Sequence, residues 1–281
     1  MADVTTLEQH RCFDGVQGFY EHASSEIGLP MRFGVYLPPQ AQQGPCPVLL
    51  CLAGLTCNEQ TFAIKAGAQQ HAAKHGLVLV TPDTSPRGTG APDADADWDF
   101  GHGAGFYLDA TREPYARHFR MESWLMQELP QVLQEHFPVQ MDRAGVLGHS
   151  MGGHGALTLA LRHPGRFRSV SAFAPICAPT EVPWGQKAFG GYLEGDPSTW
   201  AAHDAVKLLG RGARVPALLV DQGLEDQFLA TQLRPERLEQ ACAAAGQPLT
   251  LRRHAGYDHG YFFIQSFIAE HVAHHAKALA G

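Results

Sequence analysis

Six short apolar runs and one mixed run, each ending at a turn signal, constrain this chain more than any other feature in it. They are Met31 to Leu37, Val48 to Leu52, Leu77 to Val80, Ala144 to Leu147, Val170 to Phe173, Ala217 to Val220, and Thr250 to His254. Only the first alternates with period two; most of the others are apolar throughout. A strand apolar on both sides belongs to a sheet covered by helices on both faces, the signature of parallel pairing. Helical spacing fills the gaps. Thr61 to His75 ends at Gly76, a candidate C-cap. Met121 to His136 carries Pro130 inside its pattern, so a kink or restart is expected there. Gly153 to His163 stops before Pro164, Arg234 to Ala245 stops at Gly246, and Tyr261 to Leu279 is the last helix. Strand and helix in alternation predict a doubly wound α/β sheet, with an antiparallel hairpin before it from about Phe19 to Leu37. The Gly- and Asp-rich stretch from Arg87 to Gly105 reads as a long loop, a kind of segment that is often functional.

Composition narrows the function classes. Apolar residues make up 44% of the 281 positions and charged residues 17%, enough to bury a large core. The net charge of −7 and the lack of a basic block argue against nucleic acid as a partner. The N-terminus does not read as a secretory signal, and no apolar run is long enough to span a membrane, so the expected place is the cytoplasm. The six cysteines are scattered without a CxxC pair and are read as reduced thiols. Sixteen histidines are many, yet none falls into metal-ligand spacing. They are read as surface or structural, with no metal and no cofactor called for.

The chemistry centres on Gly148-His149-Ser150-Met151-Gly152. Gly-x-Ser-x-Gly alone is a modest signal in a chain with 30 glycines. Its setting adds weight, because a predicted strand precedes it and a predicted helix follows. That is the nucleophile elbow of the α/β-hydrolase fold, with a mostly parallel, eight-stranded-type central sheet. One domain over residues 1–281 is expected. The turn is so tight that side chains two residues to either side of the serine would collide. A serine hydroxyl needs a base, and in this fold an acid and then a histidine follow it along the chain. His259, after the Thr250–His254 strand, is the candidate base. Asp221, Glu225 and Asp226 all follow the Ala217–Val220 strand, and the pattern does not choose between Asp221 and Asp226. His149 is expected to point away from the site, and His254 to sit on its strand. The backbone N–H groups of Met151 and Leu55 are the candidate oxyanion donors, the second following the Val48–Leu52 strand with Gly54 allowing close approach.

With these segments in place the chain resembles the S-formylglutathione hydrolase, or esterase D, family over nearly its whole length. The resemblance is carried by Leu52-Ala53-Gly54-Leu55-Thr56-Cys57, Thr81 to Gly88, Gly103 to Tyr107, Gly148 to Gly155, Ser171 to Ile176, Pro183-Trp184-Gly185 with Lys187-Ala188-Phe189, Asp221-Gln222-Gly223 with Asp226-Gln227-Phe228, and Tyr257-Asp258-His259. It implies hydrolysis of S-formylglutathione to formate and glutathione. It also implies a triad of Ser150, Asp226 and His259, oxyanion donors at Leu55 and Met151, and substrate contacts at Trp184, Cys57 and Lys187. A homodimer is expected from the resemblance alone. Gly260, where the family often has serine, and Leu224-Glu225 depart from the pattern and leave rate and substrate range open. The alternative is a broad short-chain carboxylesterase or acyltransferase with the same triad.

Overall fold

A computed structural model describes residues 3–280. Nine strands form one sheet in the order β1-β2-β3-β5-β4-β6-β7-β8-β9. The strands are β1 (Val4–Cys12), β2 (Gly15–Ala23), β3 (Pro30–Leu37), β4 (Cys46–Leu52), β5 (Val78–Pro82), β6 (Val139–His149), β7 (Ser169–Phe173), β8 (Leu218–Gly223) and β9 (Leu249–His254). β5, β4, β6, β7, β8 and β9 are mutually parallel, and β3 joins this block antiparallel to β5. β5, β7 and β8 are buried along their whole length, as expected for strands covered on both faces.

The expected hairpin is β2 paired with β3, and β1 lies outside it as one strand more than the eight-stranded plan. β1 reads Val-Thr-Thr-Leu-Glu-Gln-His-Arg-Cys and is exposed through Thr5 to Arg11. It has no apolar face to give a period-two signal. Its ladder to β2 holds it, with only Val4 and Cys12 at its two ends packing against the core.

The helices are α1 (Glu59–Lys65), α2 (Gln69–His75), α3 (Met121–Ser123), α4 (Leu129–His136), α5 (Met151–Arg162), α6 (Pro183–Tyr192), α7 (Ala205–Gly210), α8 (Pro235–Ala245) and α9 (Tyr261–Leu279). The single helix expected from Thr61 to His75 is two. Gly67 at φ +67° breaks it, and Gly76 at φ +67° ends the second piece as anticipated. α1 starts earlier than its apolar pattern because Asn58 and Thr61 form a reciprocal cap. Pro130 acts as a restart. A π-helical turn over Trp124–Glu128 joins α3 to α4, and Pro130 sits in the first turn of α4, where its missing N–H is not needed. α6 and α7 fill a stretch for which the sequence pattern gives no helix.

Strand order decides where a site can form. The chain leaves β4 toward β5 on one side and returns to β6 on the other, so loops after β4 and β6 open beside one another. Leu52 pairs with Gly148 in register, which brings residues 53–57 next to the turn at Ser150. Open α/β sheets hold ligands at such a switch point, outside the carboxyl ends of the strands. At the far side Gly223 pairs with His254, so the loops carrying Asp226 and His259 leave the same edge together.

Candidate active site

Ser150 stands between β6 and α5 with φ +58° and ψ −118°, a conformation L residues rarely adopt, and it is 3% exposed. Its N–H donates to the Phe173 carbonyl at 2.9 Å, which ties the turn to the end of β7. The flanking glycines are required by contact. A Cβ on Gly148 would lie 1.9 Å from the Gly152 carbonyl oxygen, and one on Gly152 would lie 2.1 Å from that of Leu52. A Cβ on Gly54 would meet the Ser150 Cβ at 3.2 Å, so the β4 loop runs hard against the turn. Met151 opens α5, so its N–H has no carbonyl partner inside the helix and lies at the positive end of the helix dipole. Leu55 sits in the turn where Cys57 N–H donates to the Gly54 carbonyl and Thr56, at φ +67°, donates to Gly103.

His259 Nδ1 donates to Asp226 Oδ2 at 2.6 Å. This leaves Nε2 of the neutral ring as the proton acceptor. Asp226 Oδ2 also accepts from Gln222 at 3.2 Å, and Oδ1 accepts from the Phe228 N–H at 2.8 Å. The carboxylate is thus fixed in place by its own loop. Asp221, which the pattern could not separate from Asp226, belongs to a different network. It is fully buried and bonds Arg252 through both oxygens at 2.6 Å, and His271 and His254 approach it at 3.3 and 3.4 Å. Burial alone would raise its pKa, but hydrogen bonds from His271 and Arg252 outweigh it and hold the group at about 2. His254 ends β9, as expected.

His149 does not point away from the site. Its ring lies 4.6 Å from that of His259, and its Nε2 donates to the His259 carbonyl at 3.0 Å. Burial, and then the nearby His259, push its pKa well below the usual histidine value, so the ring stays neutral. The alternation of a strand would send neighbouring side chains to opposite faces. The left-handed backbone at Ser150 ends that alternation, and the His149 ring supports the base from below.

Gly54, Leu55, Thr56, Cys57, His149, Ser150 and His259 line one pocket of about 330 Å³ together with Thr61, Lys65, Trp98, Trp184, Phe228 and Tyr261. Trp184 packs on Phe228 with ring centres 4.7 Å apart, Trp98 meets Trp184 edge-on at 5.7 Å, and Phe228 stands edge-on to His259 at 5.1 Å. Cys57 is half-buried, and burial raises its thiol pKa. Lys187 does not line this pocket. Its ammonium pairs with Asp97 at 2.8 Å and with Asp99, the residues on either side of Trp98. Hydrogen bonds to Asp97 and Asp99 raise its pKa. Lys187 therefore anchors the loop that carries Trp98. The residues that pattern reading missed are Trp98, Phe228, Tyr261 and Lys65. Trp98 lies in the long Gly- and Asp-rich loop marked as functional, which was the available signal.

A larger cleft of about 510 Å³ lies across the Thr56 turn. Paired charges line it, Arg87 with Asp83 and Arg32 with Glu21, and its Ser85 hydroxyl is spent on the Pro86 carbonyl. It lacks a serine beside a base, so the chemistry belongs to the smaller pocket. Among the described residues no cluster of histidine, cysteine or carboxylate could hold a metal ion. No described helix is long and apolar enough to cross a membrane.

The Esterase family model matches residues 24–274. The chain belongs to the esterase family. It is 51% identical over 276 residues to an S-formylglutathione hydrolase of Mus musculus, covering 97% of this chain and 98% of that one. It is 49% identical over 280 residues to an S-formylglutathione hydrolase of Rattus norvegicus, covering 99% of both. A solved S-formylglutathione hydrolase from Agrobacterium tumefaciens superposes with a TM-score of 0.96 at 46% identity, covering 98% of this chain and all of that one. This esterase is a hydrolase with an α/β-hydrolase-type fold.

The two aspartates separate by experiment. Asp226→Asn is expected to lower kcat by roughly a thousandfold or more, because the amide no longer stabilises the imidazolium or its tautomer, with little loss of stability. Asp221→Asn is expected to cost about 3 kcal/mol of stability, since it removes the buried carboxylate that bonds Arg252 through both oxygens and leaves Arg252 only the exposed Glu270, and to spare kcat. Thermal melts and initial rates on a p-nitrophenyl ester check both. Equal kinetic defects would contradict the division of roles.

Proposed function

We propose that this hydrolase cleaves S-formylglutathione to formate and glutathione through an acyl-enzyme on Ser150. The observation that carries the reading is the 2.6 Å bond from His259 Nδ1 to Asp226 Oδ2 behind a pocket shared by Ser150 and His259. Full-length relatives of that name lend the substrate.

In the first half-reaction Ser150 Oγ attacks the formyl carbon while its proton passes to His259 Nε2. The charge gathering on the carbonyl oxygen is met by the Leu55 and Met151 N–H groups. The C–S bond breaks, and the leaving sulfur takes the proton from His259. In the second half a water gives its proton to His259 and attacks the formyl ester. The carbon–Oγ bond breaks, Ser150 regains its proton, and formate departs. Asp226 keeps Nδ1 protonated throughout and stabilises the imidazolium. Trp184 and Cys57 serve as pocket walls near the acyl and thiol groups. No step calls for a metal or a cofactor. One domain, a cytoplasmic location and a homodimer complete the proposal; the last two rest on the family resemblance and the sequence alone.

The test is stoichiometry. Free thiol and formate are expected to appear in equal amounts from S-formylglutathione, with one thiol per protein released ahead of formate in rapid mixing if deacylation is slower. Thiol release without formate would mean transfer to another acceptor and would overturn the hydrolase assignment for this substrate.

A further inference from the structure

We infer that Lys65 is the specificity-determining residue for the leaving half of the substrate and pairs with a carboxylate of the glutathionyl group. The inference rests on the glutathione reading above and adds to it the side chain that recognises charge.

The sequence motif pointed to Lys187 for this role, and the geometry takes it away, because two carboxylates already neutralise that ammonium. Lys65 stands differently. Of the thirteen residues lining the pocket, none is a carboxylate, and Lys65 is the one with a permanent charge. Among the described residues no acidic side chain lies within ion-pair reach of it; its ammonium is over the Tyr261 ring, 5.8 Å from the centre. It is the last residue of α1, where the helix dipole favours a cation. Its own backbone is anchored, since the Lys65 carbonyl accepts from Gln265 of α9 at 2.6 Å.

The path from this charge to the reacting atoms is short. The Tyr261 ring lies 5.7 Å from His149, which lies 4.6 Å from His259. Lys65 and Ser150 line the same pocket, and an extended tripeptide thiol reaches roughly 10–11 Å at about 3.3–3.6 Å per residue. Glutathione carries two carboxylates and one ammonium, so it approaches as an anion. The protein, at −7, repels it overall. An unpaired cation at the mouth of a pocket without carboxylates supplies the local attraction, and a neutral ester gains nothing from it.

A stable thioether separates binding from turnover. S-methylglutathione is expected to inhibit p-nitrophenyl acetate hydrolysis competitively. Its Ki is expected to rise roughly tenfold in Lys65→Met, in line with loss of one charge-assisted contact, and to return near the wild-type value in Lys65→Arg. The diethyl ester of S-methylglutathione should bind the wild type about as weakly as Lys65→Met binds the parent compound, with no further loss in the variant. A Ki that barely moves in Lys65→Met, or a variant that weakens parent and ester equally, would overturn the inference. If inhibition follows this pattern but the wild type leaves S-formylglutathione intact, the carboxylate site stands and the substrate assignment fails instead.

Discussion

Ser150→Ala is expected to lower kcat/KM by roughly a thousandfold or more on thioester and ester alike. The variant should keep its fold. It loses one hydroxyl at a 3% exposed site, while the glycines that permit the turn and the bond from its N–H to Phe173 remain. The whole effect then falls on chemistry, since the His259 and Asp226 pair has no nucleophile to activate. The residual rate comes from the pocket and the oxyanion donors alone. Circular dichroism and initial rates together check it. A folded variant with more than about a tenth of wild-type activity would remove Ser150 from the mechanism.

The second large effect is on stability. The histidine count, read from the sequence as surface or structural, has a clear physical consequence in the fold. His149, His154 and His275 are packed inside the protein and His203 is partly buried, and burial lowers the pKa of each, to about 3 for His154 and about 4 for His203. A histidine with a depressed folded pKa takes up its proton only when the chain unfolds. Stability from these groups is therefore complete well above the unfolded value near 6.5 and is lost as pH falls below it. Each contributes a slope of about 1.4 kcal/mol per pH unit there. Between pH 7.5 and 5 that is roughly 2 kcal/mol each for His154 and His203, a sizeable part of the ~5–15 kcal/mol that holds a typical fold together, and His149 and His275 act in the same direction. Asp221 acts later, because its carboxylate is lowered to about 2 and its contribution fades only from about pH 4 downward. Urea titrations at pH 7.5, 6 and 5 should give steeply falling midpoints, with acid unfolding well before the carboxylates titrate. Midpoints that stay level from pH 7.5 to 5 would contradict this account of the buried histidines.

The two effects draw on parts of the molecule that were unequally readable. The nucleophile turn was legible because its constraint is local. Gly148 and Gly152 are dictated by clashes of about 2 Å within a few residues of Ser150 and with the β4 loop. β4, β5, β7, β8 and the second half of β6 were legible because burial on both faces leaves continuous apolar runs, whereas the edge strand β9 is partly exposed and mixed in sequence. β1 was not, since pairing to β2 holds it and its side chains face solvent. The acid was not fixed by pattern, because Asp221 and Asp226 both follow the apolar run Ala217–Val220, and nothing in that run shows that Asp221 belongs to the strand itself. What separates them is Arg252, the β9 residue in register with Asp221, and cross-strand register is not written in either segment. The same holds for Lys187 and Lys65. Lys187 is paired by the course of the Arg87–Gly105 loop, which carries Asp97 and Asp99 over α6 and lacks a regular period, whereas Lys65 is set beside Tyr261 of α9, far away in sequence.

The central claim is that Ser150, His259 and Asp226 serve a formyl thioester of glutathione and that other esters are secondary. The most direct measurement is kcat/KM for S-formylglutathione against that for p-nitrophenyl acetate, on the same preparation at pH 7.5. The account predicts a clear preference for the thioester, although p-nitrophenolate is the better leaving group, because the pocket recognises the glutathionyl half. A preference for the simple ester would contradict it and make the protein a short-chain carboxylesterase with the same triad.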